Sequence, residues 1–212
     1  MSKSNSTQIT CPKCRVVQTI SIWESVTASH DLERKKMVVA GTIFDQTCRN
    51  CKSRMQVTHP ILYHDPNIKL AIWLCDGGIT PTLEDAMDSF GMMVPKDYRL
   101  RIVYNLSELV EKIRIFESGF NDFFIQMLKL SAAESAKTSV DVLHLIGIEM
   151  IRSAESFRFK IGEKDQSVSI SGVDNPRRIS KKWDLLESEF DWLYVNMSNF
   201  YSVFTKFQNR LA

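Results

Sequence analysis

Cys11-Pro12-Lys13-Cys14 and Cys48-Arg49-Asn50-Cys51 decide how this chain is read. The C-x-x-C spacing lets one tight turn present two sulfurs to one metal. Backbone N–H groups of the turn then donate to the thiolates and spread their charge. Two such turns supply the four sulfurs of a closed tetrahedral site, with zinc–sulfur bonds of roughly 2.3 Å. The expected cofactor is therefore one structural Zn2+ per chain, held by Cys11, Cys14, Cys48 and Cys51. A closed site leaves no position for water or substrate, so it stabilises rather than catalyses. Structural zinc supplies folding free energy on the order of 10 kcal/mol. The competing reading is a redox pair, which belongs at the start of a helix in a βαβ unit. Neither pair sits in such a pattern.

The flanks suit a small β-domain. Val16 to Trp23 alternates with β-branched residues and reads as a strand. Asp31 to Val39 reads as a short helix, started by His30-Asp31 and ended by Gly41. Thr42 to Thr47 reads as a strand feeding the second pair, and Met55 to Tyr63 and Ile68 to Cys75 as two more. His64-Asp65-Pro66-Asn67 is a turn by composition. The gap between the pairs is 33 residues, longer than the roughly 15–20 of a common zinc ribbon. The helix at 31–39 accounts for the excess.

The second half changes character. Thr80 to Asp85 reads as a helix start with Pro81 in its first turn. Tyr98 to Tyr104 alternates as a strand. Asn105 and Glu108 form a capping box that opens a helix with Leu106, Leu109, Val110 and Ile113 on one face, ended by Gly119. Asn121 to Leu130 is a second amphipathic helix. Phe157–Ile161 and Val168–Ile170 suggest a hairpin around residues 162–166, and Trp183, Leu186, Phe190, Leu193 and Met197 mark a terminal helical stripe. Residues 132–152 fit helix and strand equally.

Bulk properties narrow the class. The 212 residues are 44% hydrophobic and 25% charged, ordinary for a soluble protein with a real core. A net charge of +2 is too small to announce a nucleic-acid binder. The charge is uneven: residues 1–75 hold ten Lys or Arg against five Asp or Glu. No stretch reaches the roughly 18 apolar residues of a membrane span, and Met1 to Thr10 lacks the apolar core of a signal peptide. A cytoplasmic protein is expected, where thiols stay reduced and metal binding is the better use of paired cysteines.

Other constellations have blander alternatives. Lys13, Arg15, Arg49, Lys52 and Arg54 gather about the knuckles. They suit phosphate contact, but cations beside a doubly negative zinc–thiolate centre are favoured in any case, and no aromatic residues interleave them. His64, Asp65 and Cys75 invite a nucleophile reading, against a turn pair and a thiol packed as a small apolar group. His59 is a spare ligand that a four-thiolate site does not need. Gly162-Glu163-Lys164 lacks the rest of a phosphate loop. Trp23 and Trp73 are expected in the core, as are the Leu109/Ile113/Phe116 and Phe120/Phe123/Phe124/Met127 stripes. Phe204 and Phe207, with Trp192 and Tyr201, suit either a core or a docking face.

Taken together, Cys11-Pro12-Lys13-Cys14, Ile22-Trp23, Cys48-Arg49-Asn50-Cys51, Leu62-Tyr63-His64-Asp65 and Ile72-Trp73-Leu74 resemble the CpXC domain proteins of bacteria and archaea. Arg101-Ile102-Val103 and the run from Glu108 to Phe116 are similar to that family's helical segment. The resemblance covers roughly residues 9–130. It implies metal binding by the four cysteines and no catalytic residue. One departure stands out: zinc knuckles often carry Gly after the second cysteine, where Arg15 and Lys52 stand here.

The expected fold class is α+β: a flexible arm at 1–9, a zinc-ribbon-like β-domain at 10–78, and a mixed, mostly helical region at 79–212 packed on it. The expected function is that of a non-enzymatic zinc-binding adaptor that engages a protein partner. The alternative is a nucleic-acid-binding accessory protein that uses the basic knuckle residues.

Overall fold

The computed structural model describes residues 2–75, 97–151, 154–163 and 166–184. The chain divides into two compact units between Val110 and Glu111. The boundary expected at 78/79 and the helix start expected at Thr80 lie outside the described residues, as does the stripe beyond Trp183. The architecture is mixed α+β in both units.

The first unit is built on a five-stranded sheet in the order β1-β2-β5-β6-β7 (Lys3–Thr10, Val17–Thr27, Ile61–Asp65, Leu70–Leu74 and Arg99–Val103). The flexible arm expected at residues 1–9 is instead strand β1, antiparallel to β2 along its whole length. Its Ser, Asn, Thr and Gln residues carry no apolar pattern. Pairing to the 11-residue β2 orders them, because that strand's backbone groups need partners. β5 and β6 are nearly continuous apolar runs, buried at four of five positions each. Their turn falls at 66–69, two residues later than composition suggests. Asp65 stays in the strand, and its carboxylate accepts from the Asn67 N–H at 3.1 Å.

β2 and β5 run parallel, so a crossover must join them. It contains helix α1 (Leu32–Ala40) and the short hairpin of β3 (Asp45–Thr47) and β4 (Arg54–Gln56). Asp31 caps α1 by accepting from the Arg34 N–H at 3.1 Å. Gly41 ends it with φ +75°, a conformation that favours glycine. Two expected strands are corrected. Thr42–Phe44 is a 3-10 turn and only Asp45–Thr47 is extended. Met55 to Tyr63 divides between two sheets. Pro60 has no N–H for a ladder and lies at the break between β4 and β5.

Helix α2 (Leu106–Glu117) opens on the expected Asn105 cap, with Glu108 reaching one residue beyond the N-cap N–H of a capping box. The Asn105 side chain accepts from the Glu108 N–H, and the Glu108 carboxylate accepts from the Tyr104 N–H, both at 2.9 Å. The second unit continues from Glu111. It holds helix α3 (Asp122–Ala136), a three-stranded antiparallel sheet in the order β10-β9-β8 (Ser167–Ile170, Ala154–Ile161, Leu143–Ile151) and helix α4 (Pro176–Asp184). The hairpin expected around 162–166 is β9–β10. The ambiguous stretch 132–152 proves to be both things in turn. α3 stops at Ala136 with Lys137 left-handed, and β8 starts at Leu143. The described residues from 97 onward hold four strands beside three helices, a mixed composition. The core of the second unit is aromatic: Phe120, Phe123, Phe124, Phe157, Phe159 and Trp183 are all buried. Phe120 meets Phe157 edge-on with centroids 5.2 Å apart, and Phe123 stacks on Trp183 at 5.8 Å. The two apolar stripes read from the sequence are indeed core, with Met127 at its margin.

Candidate metal centre

Each C-x-x-C pair is the turn of a hairpin: Cys11–Cys14 joins β1 to β2, and Cys48–Cys51 joins β3 to β4. The two turns share one hydrogen-bond pattern. The Cys11 carbonyl accepts from the Arg15 N–H at 2.9 Å, and the Cys11 N–H donates to the Val16 carbonyl at 3.0 Å. The Cys48 carbonyl accepts from Lys52 at 3.0 Å, and the Cys48 N–H donates to Ser53 at 2.9 Å. Arg15 and Lys52 have φ of 59° and 58°. The left-handed conformation that glycine usually supplies is therefore present at both, at roughly 1 kcal/mol each.

These turns aim four sulfurs at one point. Cys11 Sγ lies 3.7 Å from Cys51 Sγ, and Cys14 Sγ lies 3.6 Å from Cys48 Sγ. All four fall within 4.8 Å of one another. A tetrahedron with zinc–sulfur bonds of roughly 2.3 Å has edges of about 3.8 Å, so the spacing fits a four-coordinate thiophilic cation. Cys11 and Cys48 are buried and Cys14 and Cys51 half-buried. When bound, such an ion supplies cross-linking of the two hairpins.

Two residues around the sulfurs were not singled out from sequence. The Ser53 hydroxyl lies 3.0 Å from Cys51 Sγ and 3.5 Å from Cys11 Sγ, bridging sulfurs of different knuckles. The equivalent position of the first knuckle is Val16, which has no hydroxyl. Gln18 reaches from β2 to the second knuckle. Its Oε1 accepts from the Arg49 N–H at 2.8 Å, and its Nε2 donates to the Thr47 carbonyl at 3.4 Å. Ser53 was legible only as the residue two after a ligand, and Gln18 only as a polar residue at an inward strand position.

The clustered thiols differ in acidity. The Cys14 backbone N–H, then the Ser53 hydroxyl, hold the Cys11 thiol down at about 6. The Ser53 hydroxyl lowers Cys51 as well. At Cys48 the Cys51 N–H also favours the thiolate, but burial and the sulfurs of Cys11 and Cys14 prevail and push it up to about 11. The thiolate is thus favoured where N–H and hydroxyl donors reach the sulfur and disfavoured where burial prevails. Removing the Ser53 hydroxyl should weaken that arrangement without removing a ligand. Ser53→Ala is expected to lose roughly 10–100-fold in zinc affinity, the usual effect of deleting a group that hydrogen-bonds a ligand. Competition with a chromophoric chelator measures this, and unchanged affinity would show that the hydroxyl is a bystander.

The basic residues Lys13, Arg15, Arg49, Lys52 and Arg54 are all exposed. The Lys52 ammonium donates to the Arg49 carbonyl at 2.9 Å. Among the described residues, no ion pair engages any of the five. The nucleophile constellation is not assembled. His64 pairs with Ala71 across β5 and β6, and Cys75 lies four residues further along, roughly 13 Å away at strand spacing. His64 Nε2 instead meets the Tyr98 hydroxyl at 3.0 Å, and Asp65 faces Lys35 at 3.5 Å. Cys75 is buried with its sulfur 3.9 Å from the Trp73 carbonyl. His59 packs edge-on against Phe44, not among the sulfurs. Trp23 and Trp73, expected in the core, are half-buried, and the Arg34 guanidinium lies over the Trp23 ring at 4.5 Å. Phe204, Phe207, Trp192 and Tyr201 lie outside the described residues. Among the described residues, no helix is long and apolar enough to cross a membrane.

Comparison with known proteins agrees with the cysteine geometry. Residues 9–129 match the profile of the family described as CpXC protein. No curated protein and no solved structure matches the chain.

Proposed function

The chain belongs to the CpXC family, and from that premise we propose that it is a non-enzymatic cytoplasmic adaptor whose zinc is structural and whose work is to engage another protein. The two knuckle hairpins act as a zinc-ribbon-like clamp, and the ion is one Zn2+ per chain. The observation that carries this reading is the closure of the site. Four thiolates at tetrahedral spacing fill the coordination shell of zinc and leave no open position for substrate. Closed sites of this kind commonly stiffen a surface that other macromolecules recognise, an argument by analogy with other folds. The test is affinity capture of the tagged, zinc-loaded chain from its own host's lysate, with and without nuclease. Recovery of the same protein partner under both conditions supports the adaptor. Recovery that vanishes with nuclease counts against it.

A second reading has its own observation. The five knuckle cations are exposed and, among the described residues, free of carboxylate partners, as phosphate contacts require. This favours a nucleic-acid-binding accessory role. Arg49→Ala/Lys52→Ala should then weaken binding to DNA or RNA, and the salt dependence of binding should flatten by about one to two counterions. Binding that is equal for both proteins at every salt concentration would remove the reading.

A further inference from the structure

We propose that β1 is a self-association edge, pairing antiparallel with the β1 of a second copy of this chain across a two-fold axis. β1 stands at the end of the five-stranded sheet, and among the described residues its ladder is made with β2 alone. The outer row of backbone N–H and C=O groups of such a strand is a template for another strand, and proteins usually blunt it. The other described edges carry such devices. β7 is buried at four of its five residues. β8 has a register shift between Leu145 and Gly147 and the charged Glu149. β10 has four residues, and β3 and β4 three each.

β1 carries few of these devices, although the Asn5 Oδ1 accepts from the Ser6 N–H at 2.7 Å, a contact that pairing has to displace. It is eight residues long, lacks proline and glycine, and is exposed or half-buried throughout. Its one irregularity lies at Lys3/Ser4, at the strand's end. Lys3 is its single charge. Pairing about a two-fold places a central residue opposite its own counterpart, so any charge there would repel itself. At the centre of β1 stand Ser6, Thr7 and Gln8, whose hydroxyls and amide both donate and accept and so tolerate self-opposition; the neighbouring Asn5 amide is engaged by Glu24 and the Ser6 N–H. In a pairing centred on Ser6, Lys3 falls opposite an apolar residue, Ile9, and not another cation. These features favour a second copy over a charged peptide as the occupant. An eight-residue ladder is a small contact, so association is concentration-dependent.

Sedimentation equilibrium of the full, zinc-loaded chain over a range of concentrations tests this. The wild type is expected to rise from 24.4 kDa towards twice that mass. Ser6→Lys and Ser6→Glu should each remain monomeric at the same concentrations, and an equimolar mixture should recover the doubled mass. If either variant melts below the wild type, the concentration dependence of the wild-type mass decides the test by itself. A wild type that stays at 24.4 kDa throughout overturns the proposal. So do Lys and Glu variants that dimerise as the wild type does, since the contact would then lie elsewhere.

Discussion

Cys11→Ser is expected to abolish stoichiometric zinc binding and to unfold the knuckle region of the first unit. Cys11 is fully buried, its sulfur lies 3.7 Å from that of Cys51, and its hairpin touches the second knuckle through the Ser53 hydroxyl. Serine keeps the shape but offers a hydroxyl that stays protonated and binds zinc poorly. Metal free energy in such sites is folding free energy, on the order of 10 kcal/mol. That is comparable with the whole stability of a domain, roughly 5–15 kcal/mol. Without the ion, the β3–β4 hairpin has only three residues per strand, and isolated short hairpins are marginal in water. Metal content by mass spectrometry and melting by circular dichroism measure the effect. A chelator should reproduce it in the wild type, and a variant that kept both its zinc and its melting temperature would show that the ligand set is wrong.

Glu111→Ala is expected to destabilise the second unit by about 3–5 kcal/mol, the usual cost of stranding one member of a buried ion pair. Glu111 is 3% exposed and Lys129 8%. The Lys129 ammonium lies 2.7 and 2.8 Å from the two oxygens of Glu111, and the Leu145 backbone N–H donates to the same carboxylate at 2.8 Å. One side chain of α2 thereby ties α3 to β8. Its loss leaves a buried ammonium and a buried N–H without a partner. Replacing both residues, Glu111→Leu with Lys129→Met, should recover much of the loss but not the share belonging to Leu145. Thermal melts of the two single variants and the double variant isolate the coupling.

The same group gives a pH signature. Burial alone would raise its pKa from the ordinary 4.5, but the Lys129 charge, the His144 ring and Lys112 outweigh it and bring it down to about 2. A carboxylate depressed on folding adds stability that is fully present above the unfolded value. Here that stability is lost as pH falls from 4.5 through about 2, an effect of about 3 kcal/mol. The wild type should show this acid slope and Glu111→Gln should lack most of it. Equal slopes would mean that the carboxylate is not held ionised by Lys129.

Much of the metal centre was legible because its rules are local. A C-x-x-C turn needs only four residues to aim two sulfurs, and the positive φ of Arg15 and Lys52 follows from the turn itself. The Asp31 and Gly41 ends of α1, the Asn105 cap of α2 and the β9–β10 hairpin are likewise settled within a few residues of chain. Composition misleads where the deciding partner is remote. Residues 3–10 look like a solvated arm until β2 offers them a ladder. Met55 to Tyr63 looks like one strand, although one end pairs with β3 and the other with β2 and β6.

What the sequence by itself determined, then, is the pairing of cysteines that forms the four-sulfur cluster, the caps and the hairpin turns, since short-range geometry is set by side-chain type and spacing. Only the tertiary structure decided that β1 is an edge strand, that Ser53 bridges sulfurs of both knuckles, that Gln18 holds the second of them, and that Glu111 is buried against Lys129. Each of these depends on groups distant in sequence meeting at hydrogen-bond range, and no local pattern of residues encodes which distant strand or helix will bring the partner.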